Sequence, residues 1–149
     1  MYVKSKVSKV SLLLLVLYLS GCASVPMSSP EEDSAKKQFS PPSKGKSGLY
    51  IFRDSNFGGA LKKSVYIDGE FIGETAPKTY FYREINEGKH ELSTESEFGN
   101  NDLVLVAKKG LNYFVRQFIK FGVFVGGAGL ELVSEDEGKK GVLESKLAK

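Results

Sequence analysis

Ser64-Val65-Tyr66-Ile67-Asp68-Gly69-Glu70-Phe71-Ile72-Gly73-Glu74 is the stretch whose reading decides the fold. Two runs rich in β-branched and aromatic residues flank an Asp-Gly pair. A two-residue loop of this kind needs positive φ at both central positions, which Asp tolerates and Gly adopts freely, so the stretch predicts a β-hairpin. Working outward, Gly48-Leu49-Tyr50-Ile51-Phe52-Arg53-Asp54 reads as a strand upstream, and Thr79 to Ile85 as a strand downstream. Asn86-Glu87-Gly88 turns the chain, after which His90, Leu92 and Thr94 alternate with charged and polar residues as in a half-buried strand. Phe98-Gly99-Asn100-Asn101-Asp102 is a further turn cluster, Leu103 to Ala107 an apolar strand, and Lys108-Lys109-Gly110 the next turn. Asn112 to Phe121 and Gly129 to Val133 complete the series. Turn signals at intervals of roughly 8–12 residues predict a mainly β fold, a small antiparallel β-sandwich or partly open barrel of about six to eight strands.

The tail follows another period. Ser134-Glu135-Asp136-Glu137 has the form of a capping box, and Val142, Leu143 and Leu147 recur at helical spacing. A short C-terminal helix packed on a sheet face is expected. Gly138 and Gly141 oppose it, each costing roughly 1 kcal/mol in a helix interior.

The N-terminus is of a different kind. Lys4, Lys6 and Lys9 precede an apolar run, Leu12-Leu13-Leu14-Leu15-Val16-Leu17, which leads into Leu19-Ser20-Gly21-Cys22. The order basic, apolar, small is that of an export signal, and the run is about half the roughly 20 apolar residues a transmembrane helix requires. The last four residues match the bacterial lipobox. They place signal cleavage between Gly21 and Cys22 and acylation on Cys22, so residues 1–21 are expected to be removed. Cys22 is the only cysteine, which excludes an intramolecular disulfide. Ala23 and Ser24 follow in place of the aspartate that retains Gram-negative lipoproteins at the inner membrane, so the expected location is the outer membrane, with the domain in the periplasm.

Cleavage also changes the charge. The full chain carries +3, but three of its 21 basic residues and none of its 18 acidic ones lie in residues 1–21. The mature chain therefore has 18 of each, which removes the electrostatic case for nucleic acid. Residues 22–47, rich in Ser, Pro, Glu and Lys, read as a disordered tether with about 25–30 Å of reach, leaving 48–149 as one domain.

Leu49 to Arg53, Val65 to Gly73 and Glu87-Gly88-Lys89-His90-Glu91-Leu92 resemble a family of bacterial lipoproteins whose shared region is known as domain of unknown function 2846. The central part is also similar to PEGA domains, small β-sandwich modules with a strand, Asp-Gly, strand, Gly-Lys-His pattern. The resemblance implies an extracytoplasmic β-rich domain and supplies no catalytic residues.

Catalytic chemistry has little to draw on. His90 is the only histidine, and a hydrolase would need a nucleophile or carboxylate beside it. One histidine and one acylated cysteine do not make a zinc site. Glu135-Asp136-Glu137 lacks the spaced ligands and turn glycine of a calcium loop. Gly126-Gly127-Ala128-Gly129 is followed by no lysine in phosphate-loop register and suits a turn or a close strand approach. Leu111 to Leu130 is interrupted by Arg116, Gln117 and Lys120 and reads as a buried hairpin, with partial membrane-surface docking as the alternative. Tyr80 and Tyr82 share one strand face, where an exposed pair could stack on the sugars of peptidoglycan or lipopolysaccharide.

Together these readings predict a non-enzymatic, cofactor-free lipoprotein anchored in the outer membrane through Cys22 and binding another envelope component. Glycan recognition by Tyr80 and Tyr82, and hydrolysis using His90, are the alternatives.

Overall fold

Asp68 and Gly69 take φ values of 52° and 79°, so the turn between the first-quoted strands has the paired positive φ that Asp-Gly predicts. The computed structural model describes residues 23–124 and 126–149; Gly21, Cys22 and the rest of the segment expected to be an export signal lie outside them. Among the described residues there are nine strands and two helices. In chain order these are α1 (Pro30–Lys36), β1 (Lys46–Arg53), β2 (Lys63–Ile67), β3 (Glu70–Thr75), β4 (Thr79–Asn86), β5 (Gly88–Ser96), β6 (Gly99–Ala107), β7 (Asn112–Lys120), β8 (Gly127–Val133), α2 (Glu135–Leu143) and β9 (Lys146–Leu147).

The strands form two sheets, β8-β7-β1-β4-β9 and β3-β2-β5-β6, stacked as a sandwich that does not close into a barrel. The four-stranded sheet is antiparallel throughout. The five-stranded one is mixed, because β1 pairs parallel with β7 and β4 parallel with β9. Sequence alternation cannot report strand direction, so the purely antiparallel expectation needed this correction. The supposed turn cluster at Phe98–Asp102 is tighter than expected: the turn is Glu97-Phe98, and β6 already pairs from Gly99 opposite Ser96.

β1 explains the architecture. It lies at the centre of its sheet and is apolar on both faces. Leu49 and Ile51 point between the sheets and join Val65, Phe81, Leu92, Leu105 and Val115 in one core. Tyr50 and Phe52 point the other way, into a second core with Tyr80, Phe114, Val142 and Leu147. A strand buried on both faces needs a third layer, and the helices supply it. The sandwich core also holds a polar network. Gln117 and Thr75 bond to each other, Gln117 Nε2 donates to Thr94 Oγ1 (2.8 Å), and Thr94 Oγ1 donates to the Ser64 carbonyl (2.7 Å). Four strands from both sheets are thereby tied by satisfied groups.

α2 starts as the capping box predicts, with Ser134 as N-cap and Glu137 bonding back to it. Its two glycines have a packing reason. A Cβ on Gly138 would sit inside the ring of Phe114, and one on Gly141 inside that of Phe52. The helix therefore lies closer to the sheet than any side chain there would allow.

The tether expectation for residues 22–47 is overturned for the described part, 23–47. Ser29-Pro30-Glu31-Glu32 is itself a capping box with Pro at the first helical position, and it starts α1. Asp33 accepts from Lys37 Nζ (2.8 Å) and from the Leu147 backbone N–H (2.9 Å). Lys37 Nζ also donates to the Ser145 carbonyl (2.6 Å). Phe39 enters the second core beside Tyr50 and Phe114, with ring centroids 5.5 and 5.9 Å away. Met27 bridges Ala148, so the start of the described chain lies against the C-terminal strand. Composition suggested disorder, but one capping box, the Asp33 and Lys37 hydrogen bonds and the Phe39 ring fasten the segment.

Candidate functional site

His90 sits near the start of β5, at the end of the sandwich where the β2–β3 turn lies. Its Nδ1 faces Asp68 Oδ2 at 2.6 Å and its Nε2 faces the Asn86 carbonyl at 2.9 Å. A carboxylate and a carbonyl are both acceptors, so both ring nitrogens satisfy this geometry by donating, as in the imidazolium. Burial lowers the pKa of His90, but the bonds to Asp68 and Asn86 outweigh it and raise the value above ordinary. The bonds from His90 and from the Glu91 backbone N–H hold the Asp68 carboxyl below its usual range. The unit clips the β2–β3 turn to the turn between β4 and β5.

This pair borders an open cleft of about 370 Å³ between the two sheets, whose lining includes Lys46, Ile72, Arg83 and Ile85. No serine, threonine or cysteine is among its described lining residues. Both ring nitrogens of His90 are engaged within the fold. The described residues contain no cluster of three or more His, Cys, Asp or Glu able to hold a metal.

Tyr80 and Tyr82 do lie on one face of β4, as alternation requires, but that face looks into the second core. Tyr80 is 0 % exposed and donates to the Asp33 carbonyl (3.3 Å), and Tyr50 donates to that of Lys36 (2.9 Å). Burial pushes the Tyr50 hydroxyl up to about 12 and raises those of Tyr80 and Tyr82 as well. Tyr82 is half-buried, with Lys36 Nζ 4.3 Å from its ring centroid. The exposed tyrosine pair expected for sugar stacking does not exist, because the helices occupy the face it would use.

Two surfaces remain uncovered; the sequence reading did not identify the first, and touched the second only through the membrane-docking alternative for Leu111–Leu130. The first is the outer face of the four-stranded sheet. Tyr66 and Phe71 form a ring pair there at 5.5 Å, and Phe71, Val104 and Val106 are exposed. The signal was present in the apolar Leu103–Ala107 run, in which alternate residues face outward with no helix left to cover them. The second is at the end of the sandwich opposite His90, where Phe57, Phe98, Phe121, Val123 and Phe124 are exposed on connecting loops. No described helix is long and apolar enough to cross a membrane, and the Leu111–Leu130 stretch forms the expected β7–β8 hairpin, but its tip is not buried: Phe121, Val123 and Phe124 are exposed.

The fold and site thus define a two-sheet sandwich covered by helices on one side, with no assembled catalytic centre among its described residues. Residues 43–128 match the family described as "Protein of unknown function (DUF2846)", and the chain belongs to that family. It is also 55% identical over 147 residues to an uncharacterized protein of Haemophilus influenzae, covering 99% of this chain and 88% of that one. No solved structure matches it significantly.

Proposed function

We propose that this is a lipid-anchored envelope protein whose domain works by binding another envelope protein and catalyses no reaction. Leu19-Ser20-Gly21-Cys22, after a basic and an apolar segment, supports acylation at Cys22. Three acyl chains would hold the protein firmly, since one chain alone gives only marginal binding. Ala23 and Ser24 favour the outer membrane and a periplasmic domain, and the likeness of the Val65–Leu92 region to PEGA modules fits an extracytoplasmic setting.

One observation carries the binding half of this reading: the two sheets are unequally covered. The outer face of one lies under two helices and Phe39, whereas Phe71, Val104 and Val106 stand in solvent on the other. Phe71 lies on one edge strand of that face and Val104 and Val106 on the other, across Lys89 and Glu91, and an uncovered face that carries large apolar side chains is the kind of surface a partner binds. The saturated His90 supports the absence of catalysis.

The test has two parts. Mass spectrometry of the N-terminal peptide, with Cys22→Ser as control, should find the acyl chains on Cys22; an unmodified Cys22 in membrane fractions would end the anchoring reading. A photo-crosslinking residue placed at Val106 in cells should capture one dominant envelope protein, and the same residue at Lys139 on the helical side should not. Equal capture from both sides, or glycan alone at Val106, would reject the binding reading.

A further inference from the structure

We infer that the end of the sandwich bearing Phe57, Phe98, Phe121, Val123 and Phe124 seats itself in the interfacial zone of the lipid bilayer. This rests on the proposed acylation of Cys22 and adds a second contact with the same membrane.

Topology brings these residues together. Arg53 pairs with Thr79, Lys63 with Thr75, Ser96 with Gly99 and Lys120 with Gly127. With β1 parallel to β7, the β1–β2, β5–β6 and β7–β8 connections all fall at one end. The aromatic residues sit at the tips of those connections: Phe98 is 80 %, Phe121 90 % and Phe124 85 % exposed. Loop tips are ordinarily polar, and large apolar side chains concentrated there gain nothing from the fold itself.

The tips are built, not loose. The rings of Phe57 and Phe121 meet at 4.9 Å in edge geometry. The Glu97 carboxylate accepts from the backbone N–H groups of Val123 (2.6 Å) and Phe124, so two connections share one anchor. Arg53, fully buried, donates to the carbonyls of Leu61 (2.7 Å), Phe57 (3.0 Å) and Gly58 (2.8 Å), which fixes the loop that presents Phe57.

The occupant follows from where the chain leaves the domain. The Ala23 backbone N–H donates to the Gly59 carbonyl at 3.1 Å, in that same β1–β2 loop. Ala23, which follows Cys22 in the sequence, is therefore held at the aromatic end, and acyl chains on the preceding residue would enter the bilayer beside these rings. Lys62 and Lys78, which pair with Glu74 (3.5 Å) and Glu144 (3.1 Å), border the end together with Lys120. Aromatic and basic side chains are the pair that membrane–water interfaces favour, and an apolar face of this sort sinks about 5–10 Å into the headgroup and acyl boundary. The opposite end, with Asp68, Glu87, Lys108 and Lys109, would face away from the membrane.

The chain contains no tryptophan, so single substitutions report without background. Phe121→Trp and Phe98→Trp would be made in the full chain, with Phe71→Trp on the open sheet as the distant control. Each acylated protein is reconstituted into phosphatidylethanolamine–phosphatidylglycerol vesicles with brominated acyl chains, and the mass of its N-terminal peptide is checked on the same sample. Trp at 121 and 98 is expected to emit to the blue and to lose most of its emission to the brominated lipid, while Trp at 71 keeps its own. Unquenched emission at 121 and 98 from acylated protein overturns the inference and leaves the anchor intact, whereas a missing acyl mass overturns the anchor. A blue shift without quenching that grows with protein density means a second copy covers this end and likewise overturns it. Circular dichroism matching the parent chain ensures that each variant is read in the folded state.

Discussion

The two sheets of this sandwich share their inner faces and differ entirely in their outer ones. Across the five-stranded sheet, Tyr50, Phe52, Tyr80 and Phe114 point outward and all are buried, because α1, Phe39 and α2 cover them. Across the four-stranded sheet, Phe71, Val104 and Val106 point outward and remain exposed. The same two-residue alternation produces both faces. What separates them is the segments outside the sheets, which fall on one side only. Outward apolar residues therefore contribute to folding in one sheet and stand in solvent in the other.

The sharpest way to break this contrast is to truncate matched aromatics. Phe114 is buried and stacked on Tyr50 with centroids 5.0 Å apart. Phe114→Ala should cost about 3–5 kcal/mol, as large-to-small changes in a packed core do. Phe71→Ala should stay within about 1 kcal/mol, since its ring is largely in solvent. Urea denaturation midpoints of the two variants decide the matter. Comparable losses would mean that the four-stranded sheet is covered after all.

Next in size is the helix contact itself. Gly141→Ala improves helix propensity by about 1 kcal/mol but drives a methyl group into the Phe52 ring, and overpacking of this kind costs about 1–3 kcal/mol. Net destabilisation is expected by thermal melting. A net gain in Tm would show that α2 can lift off the sheet without penalty and would weaken the case for a fixed third layer.

These positions also indicate how much the sequence disclosed. The β1 strand, the Asp68-Gly69 hairpin and the Ser134 to Glu137 cap were readable because each depends on local chemistry. The third layer was half-visible: Leu49 to Phe52 is apolar on successive residues, which already requires covering on both faces. Phe39 could not be assigned to that layer, since its partners Tyr50 and Phe114 lie 11 and 75 positions away in sequence. Ser29 and Glu32 have the spacing of a capping box, a signal that the reading of this segment from its Pro- and Ser-rich composition did not use. Of the candidate site residues, Tyr80 and Tyr82 were placed on the correct common face of β4, but alternation does not say whether a face meets water or a helix. His90 was readable as a residue at a strand start; its pairing with Asp68 required the hairpin to fold back on β5.

A smaller test asks whether α1 belongs to the covering layer or merely rests on it. Ser29→Ala removes the N-cap and should cost about 1 kcal/mol if the helix is coupled to global folding. Hydrogen exchange across Pro30–Lys36 separates the two cases. Faster exchange there with an unchanged denaturation midpoint would make α1 a local flap, and the covered face would then depend on Phe39 and α2.

The smallest expected effect concerns the open sheet, which in place of a covering layer has polar ties such as His90 to Asp68. Because the folded pKa of His90 is raised, its contribution is complete below the ordinary value of 6.5 and declines as pH rises through the elevated one. Because that of Asp68 is lowered, its contribution is complete above the ordinary 3.8 and is lost as pH falls through the depressed one. The tie is therefore strongest between those two ordinary values. The stability difference between the parent chain and His90→Gln should be largest between pH 3.8 and 6.5 and shrink as pH rises through the elevated His90 value. Asp68 is half in solvent, so the amplitude is small and should fall further in high salt. A difference that stays constant from pH 5 to pH 9 would mean that His90 acts through packing alone. The open sheet would then be held, like its covered partner, by its apolar core.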